Sequence, residues 1–470
     1  MSVQNPMTGT LFDAFERAAA PRLDREAVSS EHATLTFAEL LDASKVWADA
    51  LIHAGVQTGS VVAMFLPGSP EYTAALLATL KVGAVFLPVS IGTPSERIGR
   101  ILDSAKPSAF VCRRSNAASV ADLLARTRQD PDTPLLSLDW EPTAGNRRSL
   151  ATLLSGKRCA QRQRPDLPGD ACYILSTSGS TGTPKLILGS QLGLLHFIRW
   201  ELSELRIDDT VRGTMLSAPT FDVSLRDIFV PLLAGGTVCI PDPETRTNGR
   251  SLLEWMRKAR VSLAHMVPTV LRLLVGAGTD SDEQGSALPD MRYLLMAGEP
   301  LYGADVAAWR SLAGTRAELV NLYGPSETTL AKLFFRIGVS DFTPDEMIPL
   351  GRPIPDTEAL IRHDGRICTA GETGELHIAT RFSSHGYLGQ PAETASAFDP
   401  SPPCPGQSVT TYRTGDLASR RVDGVIRFEG RCDQQVKVRG NRVELGEIEV
   451  ALRGHVDCQR ADNTDPLTST

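Results

Sequence analysis

The sequence has no excess of positive charge: 48 lysines and arginines stand against 55 aspartates and glutamates, a formal net charge of −7. This balance offers no basic stripe of the kind that nucleic-acid-binding proteins use. The eight cysteines include no Cys-x-x-Cys pair, which argues against a zinc site or a disulfide scaffold. Their scattered positions favour free or buried thiols in a reducing compartment.

Long hydrophobic runs are also absent. The N-terminus shows no basic segment followed by an apolar one, so no secretory signal is evident. The most apolar stretch, residues 72–89, is interrupted by Lys81, Gly83 and Pro88, which makes it unsuitable for spanning a bilayer. These absences predict a cytoplasmic protein that binds neither nucleic acid nor membrane.

What is present is ordinary globular chemistry. The 470 residues are 42% hydrophobic and 22% charged, and this length suits about three domains or one large subdivided unit. Residues 61–66 form a continuous apolar run, typical of a strand buried on both faces. Within residues 70–82, Ala74, Leu77 and Lys81 recur at the spacing of a helix, and Gly83 is expected to end it. Such alternation of strands and helices predicts a parallel sheet with helices on its faces.

The alternation divides the chain into regions. It covers about residues 10–127 and returns at about 171–335. Between them, residues 128–170 are rich in proline and arginine, and we interpret them as a surface crossing. Short strands separated by Gly, Pro and Asp turns at about 340–430 predict a small antiparallel β unit. The predicted fold class is α/β: two α/β subdomains plus this β-rich unit.

A loop of small and hydroxyl residues, STSGSTGTPK at positions 176–185, lies between two predicted strands. Its glycines permit close approach of an anion, its hydroxyl and amide groups donate to phosphate oxygens, and Lys185 adds a positive charge. It is not the P-loop of nucleotide triphosphatases, because Pro184 separates the lysine from the glycines. It also lacks the spacing of a nucleophile elbow. A flexible turn with a solvated lysine is the alternative interpretation.

Further motifs lie before and after this loop along the chain. They are LTFAEL (35–40), LKVGAVFLPV (80–89), NLYGPSETT (321–329), GELHIA (374–379), GYLG (386–389), YRTGDL (412–417) and GRCDQQVKVRG (430–440). The set resembles the adenylate-forming superfamily and, more closely, the adenylation domains of non-ribosomal peptide synthetases, over about residues 10–450. The resemblance implies that ATP and a carboxylic acid give an acyl-adenylate and pyrophosphate. The acyl group would then pass to the phosphopantetheine thiol of a carrier protein.

The same resemblance implies roles for individual residues. Lys185 and Glu327 would be catalytic, Glu327 would bind Mg²⁺, and Asp433 would be the hinge of a C-terminal lid. Tyr323 would stack on adenine, and Asp416 would bind the ribose hydroxyls. The implied ATP-binding residues are Thr177, Ser178, Gly179, Ser180, Thr181, Gly182, Asn321, Tyr323, Gly324, Ser326, Asp416 and Arg431.

Two of these roles are also chemically reasonable without the family. The two acceptor oxygens of Asp416 suit a vicinal diol, and the hard carboxylate oxygens of Glu327 suit Mg²⁺. Taken alone, Glu327 has the alternative of an acid at a helix N-terminus, and Asp416 that of a turn residue after glycine. In-line attack of a carboxylate on phosphorus needs mainly positioning and charge neutralisation.

The segment LSAPTFDVSLRDIF at 216–229 resembles the family segment in which an aspartate pairs with the substrate ammonium, and Asp222 falls on that position. An acid there favours an α-amino acid over a fatty or aryl acid, which has no cation to pair. The implied pocket consists of Asp222, Val223, Arg226, His265, Leu295, Ala297, Leu322, Leu330 and Ala331.

This pocket resembles those that accept serine, with two departures. Arg226 stands where a tryptophan is common, and Ala331 where a polar residue often occurs. A buried arginine needs acceptors or an anion, so aspartate competes with serine as the substrate. Alternatively, Arg226 pairs with Asp227 or Glu254 away from the pocket. His265 is as compatible with a core histidine as with a substrate contact.

Only 37 residues follow Asp433, whereas a complete lid needs about 100. We therefore expect residues 434–470 to be the start of a truncated lid, disordered at its polar end, and turnover by this chain alone to be weak. Two alternatives stay open. One is a catalytically incomplete remnant, or half of a split enzyme, that binds nucleotide and amino acid. The other is an acyl- or aryl-CoA ligase.

Overall fold

The computed structural model describes residues 9–143, 146–157, 165–177, 184–278, 287–338, 342–400, 409–433, 435–438, 441–444 and 448. The strands are β1 (Glu26–Ser30), β2 (Thr34–Thr36), β3 (Val61–Phe65), β4 (Val85–Pro88), β5 (Ala109–Cys112), β6 (Leu135–Thr143), β7 (Asn146–Ser155), β8 (Ala171–Thr177), β9 (Lys185–Ser190), β10 (Arg212–Thr214), β11 (Thr237–Ile240), β12 (Leu263–Met266), β13 (Tyr293–Ala297), β14 (Glu318–Tyr323), β15 (Leu333–Ile337), β16 (Arg352–Pro353), β17 (Thr357–His363), β18 (Arg366–Ile367), β19 (Thr373–Thr380), β20 (Phe398–Asp399), β21 (Thr410–Arg420), β22 (Ile426–Arg431), β23 (Gln435–Val438) and β24 (Asn441–Glu444).

The helices surround these strands. They are α1 (Leu11–Ala19), α2 (Phe37–His53), α3 (Pro70–Val82), α4 (Ser95–Ala105), α5 (Ala117–Arg126), α6 (Gln191–Glu204), α7 (Val223–Ala234), α8 (Pro243–Thr247), α9 (Gly249–Lys258), α10 (Pro268–Gly278), α11 (Gly303–Ala313) and α12 (Pro391–Ala397), with short 3₁₀ turns at Ala20–Arg22, Arg114–Asn116 and Ser326–Thr328. No helix in the described ranges is long and apolar enough to cross a membrane.

Two large sheets and a smaller one form the framework, which confirms the α/β prediction. The first sheet has the strand order β7-β6-β5-β3-β4-β8-β9, and the second has the order β16-β15-β14-β13-β12-β10-β11-β1-β2. Both are parallel in the middle and antiparallel at their edges. The third sheet, β18-β17-β19-β21-β20 with β22 on β21, is antiparallel throughout, as the turn-rich sequence predicts.

Strand β3 shows why its sequence is apolar throughout. Val61, Ala63 and Phe65 pack into one hydrophobic core, whereas Val62 and Met64 pack into another on the opposite face of the sheet. Helix α3 confirms its predicted bounds. The Ser69 side chain accepts a hydrogen bond from the first turn, and Gly83 ends the helix in the left-handed conformation, with φ of 74°.

The interpretation of residues 128–170 as a surface crossing is wrong for residues 135–155. Strands β6 and β7 form an antiparallel hairpin at the edge of the first sheet, where β6 continues the parallel array from β5. Leu136 and Leu138 are buried there. Pro131 and Pro134 lie before the strand, where they do not interrupt its hydrogen bonds.

The sheets do not coincide with the ranges 10–127 and 171–335. Strands β1 and β2 belong to the second sheet, because β1 pairs with β11 about 210 residues later in the chain. Strands β8 and β9 belong to the first sheet. After Asp433, β23 and β24 form a two-stranded pair. The disorder predicted for the last twelve residues, 459–470, lies outside the described ranges.

Candidate functional site

A cavity of about 410 Å³ lies at the carboxyl ends of β12, β13 and β14, the edge where open α/β sheets bind ligands. The N-terminal turn of α7 and residues of β21 and β22 complete its wall. The structure brings together here these sequence-predicted residues: Thr177, Asp222, Val223, Arg226, Ala297, Tyr323, Gly324, Ser326, Leu330, Ala331, Asp416 and Arg431.

Asp416 lies on one side of this cavity and is buried. One carboxylate oxygen accepts a hydrogen bond from the Tyr323 hydroxyl, and the other from the Arg431 guanidinium. Burial and the Asp416 carboxylate raise the pKa of Tyr323 well above its ordinary value, so its hydroxyl stays protonated. Each carboxylate oxygen retains a second acceptor position, so the group is oriented and still able to accept from ligand hydroxyls.

Arg431 also connects Asp416 to Asp433, the predicted hinge. Its guanidinium donates to both carboxylate oxygens of Asp433, at 2.6 Å each. Gly415 makes this approach possible, because it has φ of 71° and a Cβ there would lie 2.8 Å from an Asp433 oxygen. The residue that would act as a hinge is therefore tied to the cavity wall by a two-point ion pair.

Asp222 lines another wall of the cavity. It directly precedes α7 and is buried. Burial raises the pKa of its carboxyl, while a hydrogen bond with Ser326 and the charge of Arg226 act in the opposite direction. Such a carboxylate at a cavity wall is suited to a cationic ligand group, because a counter-charge offsets the cost of its burial.

His265 is buried and does not line the cavity. Its Nε2 lies 2.6 Å from a Glu201 oxygen, and its Nδ1 lies 3.2 Å from an Asp227 oxygen. Burial alone would lower the pKa of His265, but these two carboxylates outweigh it and raise the pKa. The structure therefore agrees with the core-histidine alternative. Arg226 makes neither of its alternative pairings, with Asp227 or Glu254, and lines the cavity instead.

Three more predicted residues lie behind the cavity wall. Leu295 and Leu322 are buried in the large hydrophobic core. The Asn321 side-chain amide donates to the Pro349 carbonyl at 2.8 Å, which fixes the chain leading to β16.

Glu327 is buried, and its carboxylate is joined to Lys185 through a residue that sequence reasoning assigned no role. The Tyr387 hydroxyl donates to a Glu327 oxygen at 2.9 Å. The Lys185 ammonium nitrogen lies 5.1 Å from the centre of the Tyr387 ring. Tyr387 is held by backbone pairing of Gly386 and Leu388 with β9. Its motif, GYLG, was the only sequence signal that pointed to it.

The loop predicted to bind phosphate is described only at its base. Thr177 and Lys185 are paired across β8 and β9. Ser178, Gly179, Ser180, Thr181 and Gly182 lie outside the described residues. Sequence reasoning assigned no role to several other residues of the cavity wall. Thr414 and Gln435 lie within the motifs at 412–417 and 430–440, whereas Arg97, Met266 and Val267 belong to no motif.

Backbone strain is concentrated beside Glu327. Thr329 and Leu330 have φ of 63° and 59°, values that non-glycine residues rarely adopt. The segment turns back so closely that a Cβ on Gly324 would lie 2.2 Å from the Leu330 carbonyl oxygen. This conformation brings Leu330 and Ala331 to the cavity wall, which explains why glycine is required at position 324.

The fold and the cavity define an enzyme of the adenylate-forming class, and comparison with known proteins agrees. The model of the family "AMP-binding enzyme" matches residues 15–388. Novobiocin biosynthesis protein H of Streptomyces niveus is 34% identical over 97% of this chain and 71% of its own length. The L-proline--[L-prolyl-carrier protein] ligase of Streptomyces coelicolor is 33% identical over 93% of this chain and 83% of its own length.

Solved structures share the fold. The adenylation domain AlmE of Vibrio cholerae, crystallised with glycyl-adenosine-5'-phosphate, has a TM-score of 0.77 and 23% identity over 96% of this chain and 85% of its own. Longer peptide synthases also match, and the chain spans only 5% to 38% of their length. The chain belongs to the AMP-binding enzyme family of AMP-forming ligases, as an adenylation domain of the non-ribosomal peptide synthetase type.

Proposed function

We propose that the protein activates an α-amino acid with ATP and passes the aminoacyl group to the phosphopantetheine thiol of a carrier protein. The observation that carries the proposal is a single cavity with the buried carboxylate of Asp222 in one wall and the oriented carboxylate of Asp416 in another. The carrier-protein partner is supported by the name of the prolyl-carrier ligase, which is 33% identical to this chain.

Asp222 favours an amino acid over other carboxylic acids. An α-ammonium group would give this buried carboxylate a direct counter-charge. A fatty or aryl acid would place apolar atoms against it and leave it without one, which argues against the acyl-CoA ligase alternative. The apolar wall residues Val223, Ala297 and Leu330 would then surround the amino-acid side chain.

Asp416 would bind the ribose of ATP. Its carboxylate is held by Tyr323 and Arg431, so a diol would find acceptors already oriented. Lys185 and the loop at 178–183 would contact the phosphates. The amino-acid carboxylate oxygen would attack the α-phosphorus, forming an O–P bond while pyrophosphate leaves with the electron pair of the broken bond. The carrier thiolate would then attack the acyl carbon and release AMP.

Glu327 fits the Mg²⁺ that the family implies. No group of three or more His, Cys, Asp or Glu side chains in the described part of the chain could enclose a metal ion. Mg²⁺ is commonly bound by one or two carboxylates together with substrate phosphates, and a buried carboxylate oriented by Tyr387 suits this arrangement. When bound, the ion would neutralise phosphate charge.

Nucleotide binding is tested by the melting temperature. We expect millimolar Mg·ATP to raise it, because a ligand selective for the folded state stabilises that state. Asp416→Ala should lose most of this shift, since it removes the acceptors for the ribose. Glu358→Ala, which removes an exposed carboxylate of the same β-rich unit, should keep it. Absence of a shift in the unmodified protein would refute the nucleotide site.

Amino-acid activation is tested by ATP–pyrophosphate exchange with a panel of amino, aryl and fatty acids. Exchange that depends on an amino acid supports the proposal. Exchange with aryl or fatty acids alone contradicts it. Binding of both ATP and an amino acid without any exchange would favour the remnant alternative.

Tyr387→Phe provides a test of the Glu327 role. The change removes the hydroxyl that orients the carboxylate and keeps the ring beneath Lys185. A hydrogen bond to a charged group contributes about 1.5–3 kcal/mol, so we expect exchange to fall roughly tenfold at low Mg²⁺ and to recover partly as Mg²⁺ increases. Tyr412→Phe, in the same small core, is the matched control. An unchanged Mg²⁺ dependence in Tyr387→Phe would contradict the role.

A further inference from the structure

Arg226 is a buried cation that acts on the Asp222 carboxylate only through its charge, without a direct contact. It lines the cavity and is only 3% exposed. In the described part of the chain it makes no hydrogen bond and no ion pair within 4 Å, and its Nε is fully buried without an acceptor. A buried guanidinium normally has several hydrogen-bonded acceptors, and this one has only the charge of Asp222 to offset its burial.

Two other buried carboxylates, those of Asp227 and Glu201, lie against His265. Asp227, the next residue on α7, is fully buried and lies against His265 and the Ser217 amide. Glu201 lies on the other side of His265. Neither carboxylate makes an ion pair with Arg226 among the described residues, although one oxygen of each has no hydrogen-bond partner.

Arg226 and Asp222 are four residues apart, at the start of α7. Residues at this spacing are neighbours on a helix surface, with Cβ atoms about 5–6 Å apart, and both line the cavity. A ligand that satisfies both side chains carries a cation and an anion separated by a few bonds. The α-ammonium and side-chain carboxylate of a short acidic amino acid have this separation.

We propose that the side-chain end of the cavity is an anion site formed by Arg226, and that the amino acid activated here has an acidic side chain. This inference rests on the proposed function. It favours aspartate-like substrates over serine, the two competitors from the sequence, because His265, one residue of the serine-like pattern, contacts Glu201 and Asp227 and does not line the cavity. The remaining wall near Arg226 is apolar at Val223, Ala297 and Ala331, so a hydroxyl side chain would leave the guanidinium without an anion.

The experiment compares aspartate and glutamate with asparagine, glutamine and serine. Amino-acid-dependent thermal shift and ATP–pyrophosphate exchange are measured in the unmodified protein and in Arg226→Gln and Arg226→Lys. We expect one acid to be preferred over its amide by roughly 10- to 100-fold, as for a charge-assisted pair. Arg226→Gln should remove this preference, and Arg226→Lys should retain part of it. The Mg·ATP shift should be unchanged.

Arg126→Gln, at an exposed arginine on α5, is the matched control and should change nothing. Preference of the unmodified protein for serine or the amides would overturn the inference while leaving amino-acid activation intact. An equal loss for all amino acids in Arg226→Gln would also overturn it, because Arg226 would then contact a group common to all substrates. Failure to activate any amino acid would instead overturn the proposed function.

Discussion

Asp222→Asn is expected to weaken the binding of every amino acid, whatever its side chain. The change keeps the shape of the side chain but removes the charge that would face the α-ammonium in a buried wall. Removing one partner of a buried charge pair costs about 3–5 kcal/mol, or roughly 10²- to 10⁴-fold in affinity. Calorimetric titration with amino acid in the presence of a nonhydrolysable ATP analogue measures this loss.

The pH dependence separates this role from a general loss of structure. Burial raises the pKa of Asp222, so affinity should decrease as the pH falls and the carboxyl takes up a proton. Asp222→Asn has no such group and should lose this dependence. Asp122→Asn, at an exposed aspartate on α5, should behave as the unmodified protein. Equal amino-acid affinity in Asp222→Asn and the unmodified protein would show that the ammonium binds elsewhere.

Local sequence patterns were sufficient to predict the helices and strands whose ends or burial are set by residues close together in the chain. Helix α3 could be predicted to its last residue because Ser69, Pro70 and Gly83 fix both ends within the chain itself. Strand β3 could be predicted because burial on two faces requires a continuous apolar run. The motif residues Asp222 and Asp416 lie in one cavity, although 194 positions separate them, as the resemblance of their motifs implied.

Pairings made over long distances in the chain were not predictable in this way. Prolines near the β6–β7 hairpin led to its interpretation as a surface crossing. No local sequence pattern indicates that β1 pairs with β11. His265 depends on Glu201, which lies 64 residues earlier, and only the packing of α6 against β12 brings them together. Tyr387 contacts Glu327 because the segment around it pairs with β9.

Lys332→Met is expected to stabilise the protein substantially at neutral pH. Lys332 follows the cavity-wall residue Ala331 but is itself fully buried, and its ammonium nitrogen has no hydrogen-bond partner within the described ranges. Burial lowers the pKa of Lys332 to about 7. His196 offers no counter-charge, because burial and then the charges of Lys332 and Arg381 lower its pKa to about 3 and leave the imidazole neutral.

The sign of the effect follows from proton binding. An unfolded lysine titrates near 10.4, so between pH 7 and pH 10 the unfolded chain binds more protons at this site than the folded one. The contribution of Lys332 to stability should therefore rise with pH across this window and be least favourable, and constant, below about pH 7. At 1.36 kcal/mol per pKa unit, its cost at low pH is about 5 kcal/mol. Methionine is similar in length, flexible and apolar, so it can fill the same space without this cost.

Denaturant unfolding at several pH values measures both the gain in stability and its dependence on pH. Lys332→Met should be more stable than the unmodified protein at pH 6, and the difference should narrow steadily towards pH 10. Lys258→Met, at an exposed lysine on α9, should show neither effect. A constant difference across the pH range, or a less stable Lys332→Met protein, would mean that an acceptor compensates the ammonium in solution. In that case the lysine would stabilise the segment that carries Leu330 and Ala331 into the cavity wall.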